Sequence, residues 1–292
     1  GYCDITGESD WVREMIDRYD EPAKQSGAKI VHFCGHDCVP WDLITMGVAK
    51  SISAKGDTIS RIDIFDEMRG SASGGTLETV RLSLDARIKY KAQCGYDPML
   101  KTPAGKSENK FTVANRMRLG FANQINKWVG PFVMAMVNAN TVRRSNALCN
   151  YSPRLTYCES SVYPGFMAGF VNSMGLMIFG TCLLVPPAKW FLYKYILPKP
   201  GQGPSEKAMN AGFLKVTAFG TGHKGTTSKG MCYFPTDPGY RDTARMLVES
   251  ALAISLDGHK LKCGGGVFTS AACQGEVLID RLCATGSEFK FD

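Results

Sequence analysis

The sequence predicts an α/β protein: the closing part of a doubly wound domain, then a mixed α/β domain carrying an apolar, membrane-seeking insert. Three observations predict it. Residues 28–51 read as strand, polar turn and helix, the unit that places functional side chains at the carboxyl edge of a parallel sheet. Arg61–Asp66 alternates polar and apolar residues with the period of a half-buried strand. Ser160–Ala188 contains no charged residue, and Phe166–Val185 is a mostly apolar window long enough to cross a hydrocarbon core of about 30 Å.

Composition sets the frame. With 292 residues, 44% of them hydrophobic and 21% charged, the chain is globular in class and long enough for a large core. The net charge of +7 is spread over single or paired Lys and Arg. That pattern argues against nucleic acid as a partner and suits a modest attraction to anionic headgroups. Eleven cysteines without a C-x-x-C pair read as free thiols of a reducing, intracellular compartment. His32-x-Cys34-x-His36-x-Cys38 has metal-binding residue types, but strand neighbours two apart rarely converge on one ion, so no metal is expected.

In chain order, Tyr2–Ile5 reads as the end of a strand, and Thr6–Ser9 as a turn into a helix. Trp11, Val12, Met15, Ile16 and Tyr19 form that helix's apolar stripe. Lys29–Cys34 is the next strand, Gly35–Pro40 a turn, and Leu43, Ile44, Met46 and Val48 take helical spacing after Pro40. Asp42, beside the proline, suits either a helix N-terminal acceptor or a ligand contact. Because Gly1 opens directly on a strand end, residues 1–57 read as the last part of a doubly wound domain whose opening strands lie upstream. The first part of the second α/β domain then occupies 58–159, the apolar insert and a Pro/Gly linker 160–204, and the remainder 205–292.

After the Arg61–Asp66 strand, Ser73-Gly74-Gly75-Thr76 leads into a helix. Such a loop can present backbone amides to a phosphate or carboxylate, or can simply turn and cap. Residues 94–125 look like an extended surface insertion, and an apolar helix is expected after Pro131. That helix ends near Arg143-Arg144, a pair able to clamp an anion or to complement a helix C-terminus. The uncharged window is followed by Pro186-Pro187 and by Lys189–Lys199, where lysines interleave with aromatics as at a headgroup layer. A leaflet-seated helix, a buried core helix and a full span all remain open. Beyond the linker, Phe213–Gly220 and Met231–Phe234 read as a hairpin, and helices are expected from Tyr240 and over Ala271–Cys283. A short strand near Phe289–Phe291 closes the chain.

The segments Tyr2–Glu8, Phe33–Leu43, Ser73–Thr76, Val142–Asn146 and Pro200–Ser205 occur in this order, and together the chain resembles the saccharopine dehydrogenase-like oxidoreductases, a group that includes the mycobacterial trans-acting enoyl reductases. The resemblance implies a Rossmann-type NAD(P)-binding domain over 1–57 and a reductase acting on a lipid-linked or hydrophobic substrate in complex-lipid or glycolipid metabolism. The Gly-rich phosphate loop with which that family opens is missing from these residues. The turn would lie beside the nicotinamide, with Gly35, Cys38, Pro40 and Asp42 as cofactor contacts and His36 and Asp37 as catalytic residues, His36 donating the proton. Ser73, Gly74, Gly75, Thr76, Arg143 and Arg144 would hold an anionic substrate group. The expected partners are a lipid-like substrate, a membrane or lipid-droplet surface met through Phe166–Tyr195, and a second copy in a homodimer. Lipid droplets and membranes, those of the mitochondrion included, are the expected location. A non-catalytic lipid-surface protein that keeps the reductase fold is the alternative.

Overall fold

The computed structural model describes residues 1–70, 110–197 and 203–292; the Ser73–Thr76 loop and Cys94 lie outside them. A mixed α/β architecture is built on two sheets. The smaller is parallel and three-stranded, in the order β1 (Tyr2–Cys3), β2 (Lys29–Val31), β10 (Gly266–Phe268). Between its first two strands runs helix α1 (Ser9–Ser26), stopped by Gly27 in the left-handed conformation (φ 72°), where glycine carries no steric penalty. Val12 and Ile16 of its apolar stripe are buried against Phe33 and Val267, whereas Tyr19, expected on the same face, is exposed.

The larger sheet has eight strands. Its path is β11 (Glu288–Phe291), β9 (Thr227–Phe234), β8 (Phe213–Gly222), β3 (Ile59–Arg69), β7 (Arg154–Tyr163), β6 (Lys127–Gly130) and β5 (Gly120–Ala122), and β4 (Lys110–Val113) also pairs with β7. β3 is central, antiparallel to β8 and parallel to β7. The strand expected at Arg61–Asp66 is therefore the sheet's axis, and the hairpin expected from residue 213 onward is the β8–β9 pair.

Helix α2 (Val39–Ala54) joins the sheets. Cys38 precedes it and Pro40 sits in its first turn, where no intrahelical N–H is lost. It is apolar almost all round because it is covered almost all round: Trp41, Leu43, Ile44, Val48 and Ile52 are fully buried, packed with Ile62, Ile64, Leu155, Val216 and Phe234 of the large sheet. Glycines set the closeness of that contact. A Cβ on Gly220 would come within 2.4 Å of Val48, and one on Gly230 within 2.7 Å of the same side chain.

Helix α3 (Ala135–Cys149) packs on α2 and ends at Asn150 in the left-handed conformation. It starts later than the proline suggests, because β6 runs up to Gly130 and a turn, in which the Ala135 N–H donates to the Phe132 carbonyl at 3.3 Å, comes before the helix. Helix α4 (Phe166–Leu184) is the apolar insert. It has the length and composition to cross a membrane, and only 11% of its most apolar window is buried, so within the described fold it is not a core helix. Its first turns rest on the sheet edge, where Phe166 meets Trp128 edge-on at 5.1 Å and Asn172 Oδ1 accepts from Tyr163 at 3.1 Å. Helix α5 (Pro186–Phe191) and a π-helical turn, Leu192–Ile196, follow. There Lys194 lies 4.5 Å above the Trp190 ring. Helix α6 (Glu206–Asn210) precedes β8, and helix α7 (Arg241–Ser255) follows β9. The single helix expected over Ala271–Cys283 is two, α8 (Ser270–Cys273) and α9 (Gly275–Ala284), broken at Gly275 with φ 47°.

Gly220→Ala is expected to lower stability by about 1–3 kcal/mol in urea unfolding, because the added methyl meets Val48 and Ile52 in a filled core. Gly180→Ala in α4, where a Cβ meets no atom within 4 Å, is the control and should be neutral or slightly stabilising.

Candidate functional site

The turn after β2 is held at the carboxyl edge of the small sheet. The backbone N–H of Cys34 donates to the Asp4 carbonyl at 2.7 Å, and that of Cys38 to the Phe33 carbonyl at 3.1 Å. Phe33 turns the corner with φ 60°, a conformation rare for a non-glycine residue and stabilised here by burial of its ring. His36 is anchored through its backbone N–H, which donates to Thr243 Oγ1 of α7 at 3.0 Å. Its ring meets Trp41 edge-on at 4.9 Å. A Cβ on Gly35 would touch Ile5 and Thr243 at 3.0 Å, so a small residue is needed there.

Beneath the turn lies a buried polar network. Trp41 Nε1 donates to Asp66 Oδ1 at 2.8 Å. Glu159, on the neighbouring strand β7, accepts from the Tyr157 hydroxyl at 2.6 Å and from Asn138 Nδ2 at 2.9 Å, and its backbone N–H donates to Asn115 Oδ1. Asp66 and Glu159 lie close enough on adjacent strands for each to feel the other's charge. Burial above all, then the charge of Glu159, pushes Asp66 well above the usual carboxylate range. Burial raises Glu159 to about 7 against the Tyr157 and Asn138 hydrogen bonds, so the pair retains a proton at neutral pH. Asp37 is close enough for its charge to be felt by Glu159.

The two expected catalytic residues separate in character. Each is partly exposed, yet His36 Nδ1 and Asp37 Oδ1 are buried with no hydrogen-bond partner. Burial lowers His36 to about 4, leaving a neutral imidazole at pH 7, and raises Asp37 to about 7, leaving a carboxyl about half of which carries a proton at neutral pH. Cys38 is buried, with Thr141 Oγ1 donating to its sulfur at 3.1 Å, and burial pushes its thiol up. Pro40 is buried in the first turn of α2.

Asp42 sits one turn further along and is fully enclosed. Its Oδ1 accepts from Ser145 Oγ at 2.5 Å and its Oδ2 from the Ala271 backbone N–H at 2.8 Å, with Thr269 Oγ1 at 2.5 Å from the same serine. Burial lifts it to about 6, against the pull of those bonds. Its carboxylate thus ties α2, α3 and the start of α8 together. Arg143 and Arg144 diverge: Arg143 stacks over Phe111 at 5.3 Å, whereas Arg144 is buried and donates to the Val267 carbonyl at 2.5 Å. Among the described residues no group of three His, Cys, Asp or Glu side chains could hold a metal ion.

The sequence reading misses Asp66, Glu159 and the Asp4–His32 pair, in which His32 Nδ1 lies 2.7 Å from the carboxylate. A signal for the first two was available. Ile62, Ile64 and Asp66 share one face of β3, and Leu155, Tyr157 and Glu159 one face of β7, so both carboxylates fall in the buried phase of their strands. A fit for a dinucleotide is one-sided. The unpartnered His36 Nδ1 and Asp37 Oδ1 suit a carboxamide. The β1–α1 turn carries Asp4 and Glu8, which repel phosphate, and none of the described strands runs through a Gly-rich turn into a helix.

A carboxyl edge with a buried, proton-holding acid defines a candidate acid–base site on an α/β scaffold. Over 98% of its length the chain is 33% identical to a Mycobacterium tuberculosis protein provisionally named a trans-acting enoyl reductase, of which it covers 72%. The trans-acting enoyl reductases of Mycobacterium ulcerans and Mycobacterium bovis are 30% and 29% identical over 98% of this chain and 72% of theirs. No family profile matches the chain. The chain belongs to the trans-acting enoyl reductase family.

The raised carboxyls give stability a pH dependence with a definite sign. In the unfolded chain Glu159 ionises near its ordinary 4.5, whereas in the folded state it resists until about 7. Its contribution is therefore full below about pH 4.5 and is lost as pH rises through about 7. Urea midpoints at pH 5 and pH 8 should show wild type losing stability across that interval. Glu159→Gln should lose markedly less.

Proposed function

We propose that this protein is an NAD(P)H-dependent enoyl reductase of the saccharopine dehydrogenase-like oxidoreductases, with Asp37 as the proton donor. One observation carries the assignment: at the carboxyl edge of a parallel sheet, in a chain of the trans-acting enoyl reductase family, a carboxyl with one buried, unpartnered oxygen still carries its proton in about half of the molecules near neutral pH. A nicotinamide held beside the turn by His36 and Asp37 would supply the hydride for the β-carbon of an α,β-unsaturated acyl group. The chain's part is the proton that must reach the α-carbon. Asp37 can deliver it, since its carboxyl is raised to about 7, whereas His36, lowered to about 4, has none to give. His36 then orients the turn against Trp41, and burial holds Asp37 in its raised range. The Rossmann-type reading of the three-stranded parallel sheet belongs to this proposal, as does a second copy of the chain in a homodimer.

The substrate would be lipid-linked and met at a lipid surface, in complex-lipid or glycolipid metabolism. Supporting this, α4 exposes Met167, Phe170, Val171, Met177, Ile178 and Leu184, and Trp190, Lys194 and Tyr195 follow it as headgroup-level residues. The insert leaves the large sheet after Tyr163 of β7 and returns at Phe213 of β8. Both strands flank β3, and Asp66 pairs with Ser161 as Arg69 pairs with Phe213, so exit and return share one edge of one sheet. Such a geometry favours a helix seated in one leaflet over a single span. The same exposed helix is what favours a non-catalytic lipid-surface protein as the second reading, and turnover separates the two.

With an α,β-unsaturated thioester and NADPH or NADH, Asp37→Asn should cut kcat by about 10²-fold or more, and His36→Ala by less than about 10-fold. The wild-type rate should fall as pH rises through about 7, where Asp37 ionises, and reduction in D2O should place deuterium at the α-carbon. Unchanged turnover in Asp37→Asn removes its role, and no turnover by the wild type with either cofactor favours the non-catalytic reading. In vesicle flotation, wild type should float with liposomes containing anionic lipid, and a variant with residues 166–197 replaced by a Gly/Ser linker should stay at the bottom. Flotation of both would remove the insert from membrane binding.

A further inference from the structure

We infer that Cys263 and Cys273 form a reversible disulfide by exchange with low-molecular-weight disulfides, a modification site distinct from the acid–base turn. Their sulfurs lie 3.2 Å apart, and Cys263 Sγ is also 3.6 Å from the Cys273 carbonyl. The bond needs about 2.05 Å, so one sulfur must move by roughly 1 Å. Cys263 is placed to make that move. It lies in the loop before β10, is partly exposed, and is followed by Gly264, around which there is open space. Cys273 is its opposite, buried on α8 and fixed by the helix. A half-exposed thiol backed by a buried one is the arrangement of an attacking and a resolving cysteine.

The chemistry balances with a small disulfide as the oxidant. Cys263 thiolate attacks one sulfur of glutathione disulfide; the S–S bond breaks, and one glutathione leaves and takes up a proton. Cys273 thiolate then attacks the Cys263 sulfur of the mixed disulfide and expels the second glutathione. Two electrons pass from the cysteines to the reagent, and the two thiol protons end on the two glutathiones. Electrostatics suit the order of events. Hydrogen bonding with Cys273 and the charge of Lys29 lower Cys263 to about 7 against its burial, so thiolate is abundant at neutral pH. Cys273 is raised chiefly by that same hydrogen bond with Cys263, then by burial. Once Cys263 is capped the first cause disappears, which frees Cys273 to resolve.

The position gives the bond a consequence. Between the two cysteines lie β10 and residues Thr269 and Ala271, the partners of Ser145 and Asp42. Closing the bridge would brace the segment that completes the small sheet and receives the Asp42 carboxylate. Cys3 and Cys34 belong to the same buried cluster, so they are the competitors that a test must distinguish.

The test uses the whole protein equilibrated in glutathione buffers from reducing to oxidising, then alkylated and digested with trypsin. Cleavage after Lys262 and Arg281 leaves Cys263 and Cys273 as the only cysteines of one peptide. The expected result is that, at oxidising poise, this peptide carries no alkyl group and is lighter by two hydrogens, and that dithiothreitol reverses the change. Cys273→Ser should instead trap glutathione on Cys263. Alkylation of Cys263 in that variant's reduced form should accelerate through neutral pH, with far-UV circular dichroism confirming its fold. Three results would overturn the inference: both thiols still alkylated when the exposed Cys149 and Cys283 are already glutathionylated, a bridge from Cys263 to Cys3 or Cys34, or a mixed disulfide persisting at Cys263 in the wild type.

Discussion

The structure depends on the burial of α2. A helix that is apolar on nearly every side is stable only if every side is covered, and no single sheet can do that. The large sheet covers one side through Val216, Phe234 and the close approach to Gly220 and Gly230, α3 supplies Ala139 and Val142, and α8 supplies Ala271. The turn at the head of α2 is thereby fixed between the small sheet and the large one. His36, Asp37 and Cys38 owe their positions to hydrophobic packing a turn or more away from them.

That burial also divides the carboxylates into two kinds. Asp42 is removed from water but has compensation on both oxygens, from a serine hydroxyl and a backbone amide, and it cross-ties three helices. In the network beneath the turn compensation is incomplete: Asp66 Oδ2, Asn138 Oδ1 and Ser160 Oγ have no hydrogen-bond partner. A satisfied buried carboxylate behaves as a structural knot, and an under-satisfied one answers desolvation by keeping its proton. The same low-dielectric interior thus yields a rigid tie at one end of the first turns of α2 and an acid reservoir at the other.

Much of this was legible from periodicity. Strand, turn and helix over 28–51, the β3 alternation, the β8–β9 hairpin and the uncharged α4 each follow from local pattern, because burial of a face imposes its period on the chain. What escaped was set by contacts distant in sequence. Pro131 suggests the start of a helix, but β6 runs up to Gly130 on its pairing with β7, and a turn comes before the helix. The adjacent arginines of α3 draw attention as a clamp, yet neighbours on a helix point apart, and the residues that meet the turn and its network are Asn138, Thr141 and Ser145, on one face at spacings of three and four. Asp66 and Glu159 are ordinary acids until strand phase is combined with knowledge of which face is covered.

Because β7 ends and β8 begins on either side of the same strand, the segment between them is a loop whose ends the sheet has already brought together. For such a loop the closure entropy grows only with the logarithm of length, about 0.6 kcal/mol for each doubling. The sheet is therefore almost indifferent to how many residues lie between Tyr163 and Phe213. Selection on the insert's length and hydrophobicity can proceed with little reference to the folding of the domain that carries it, while the strands that anchor it keep their register.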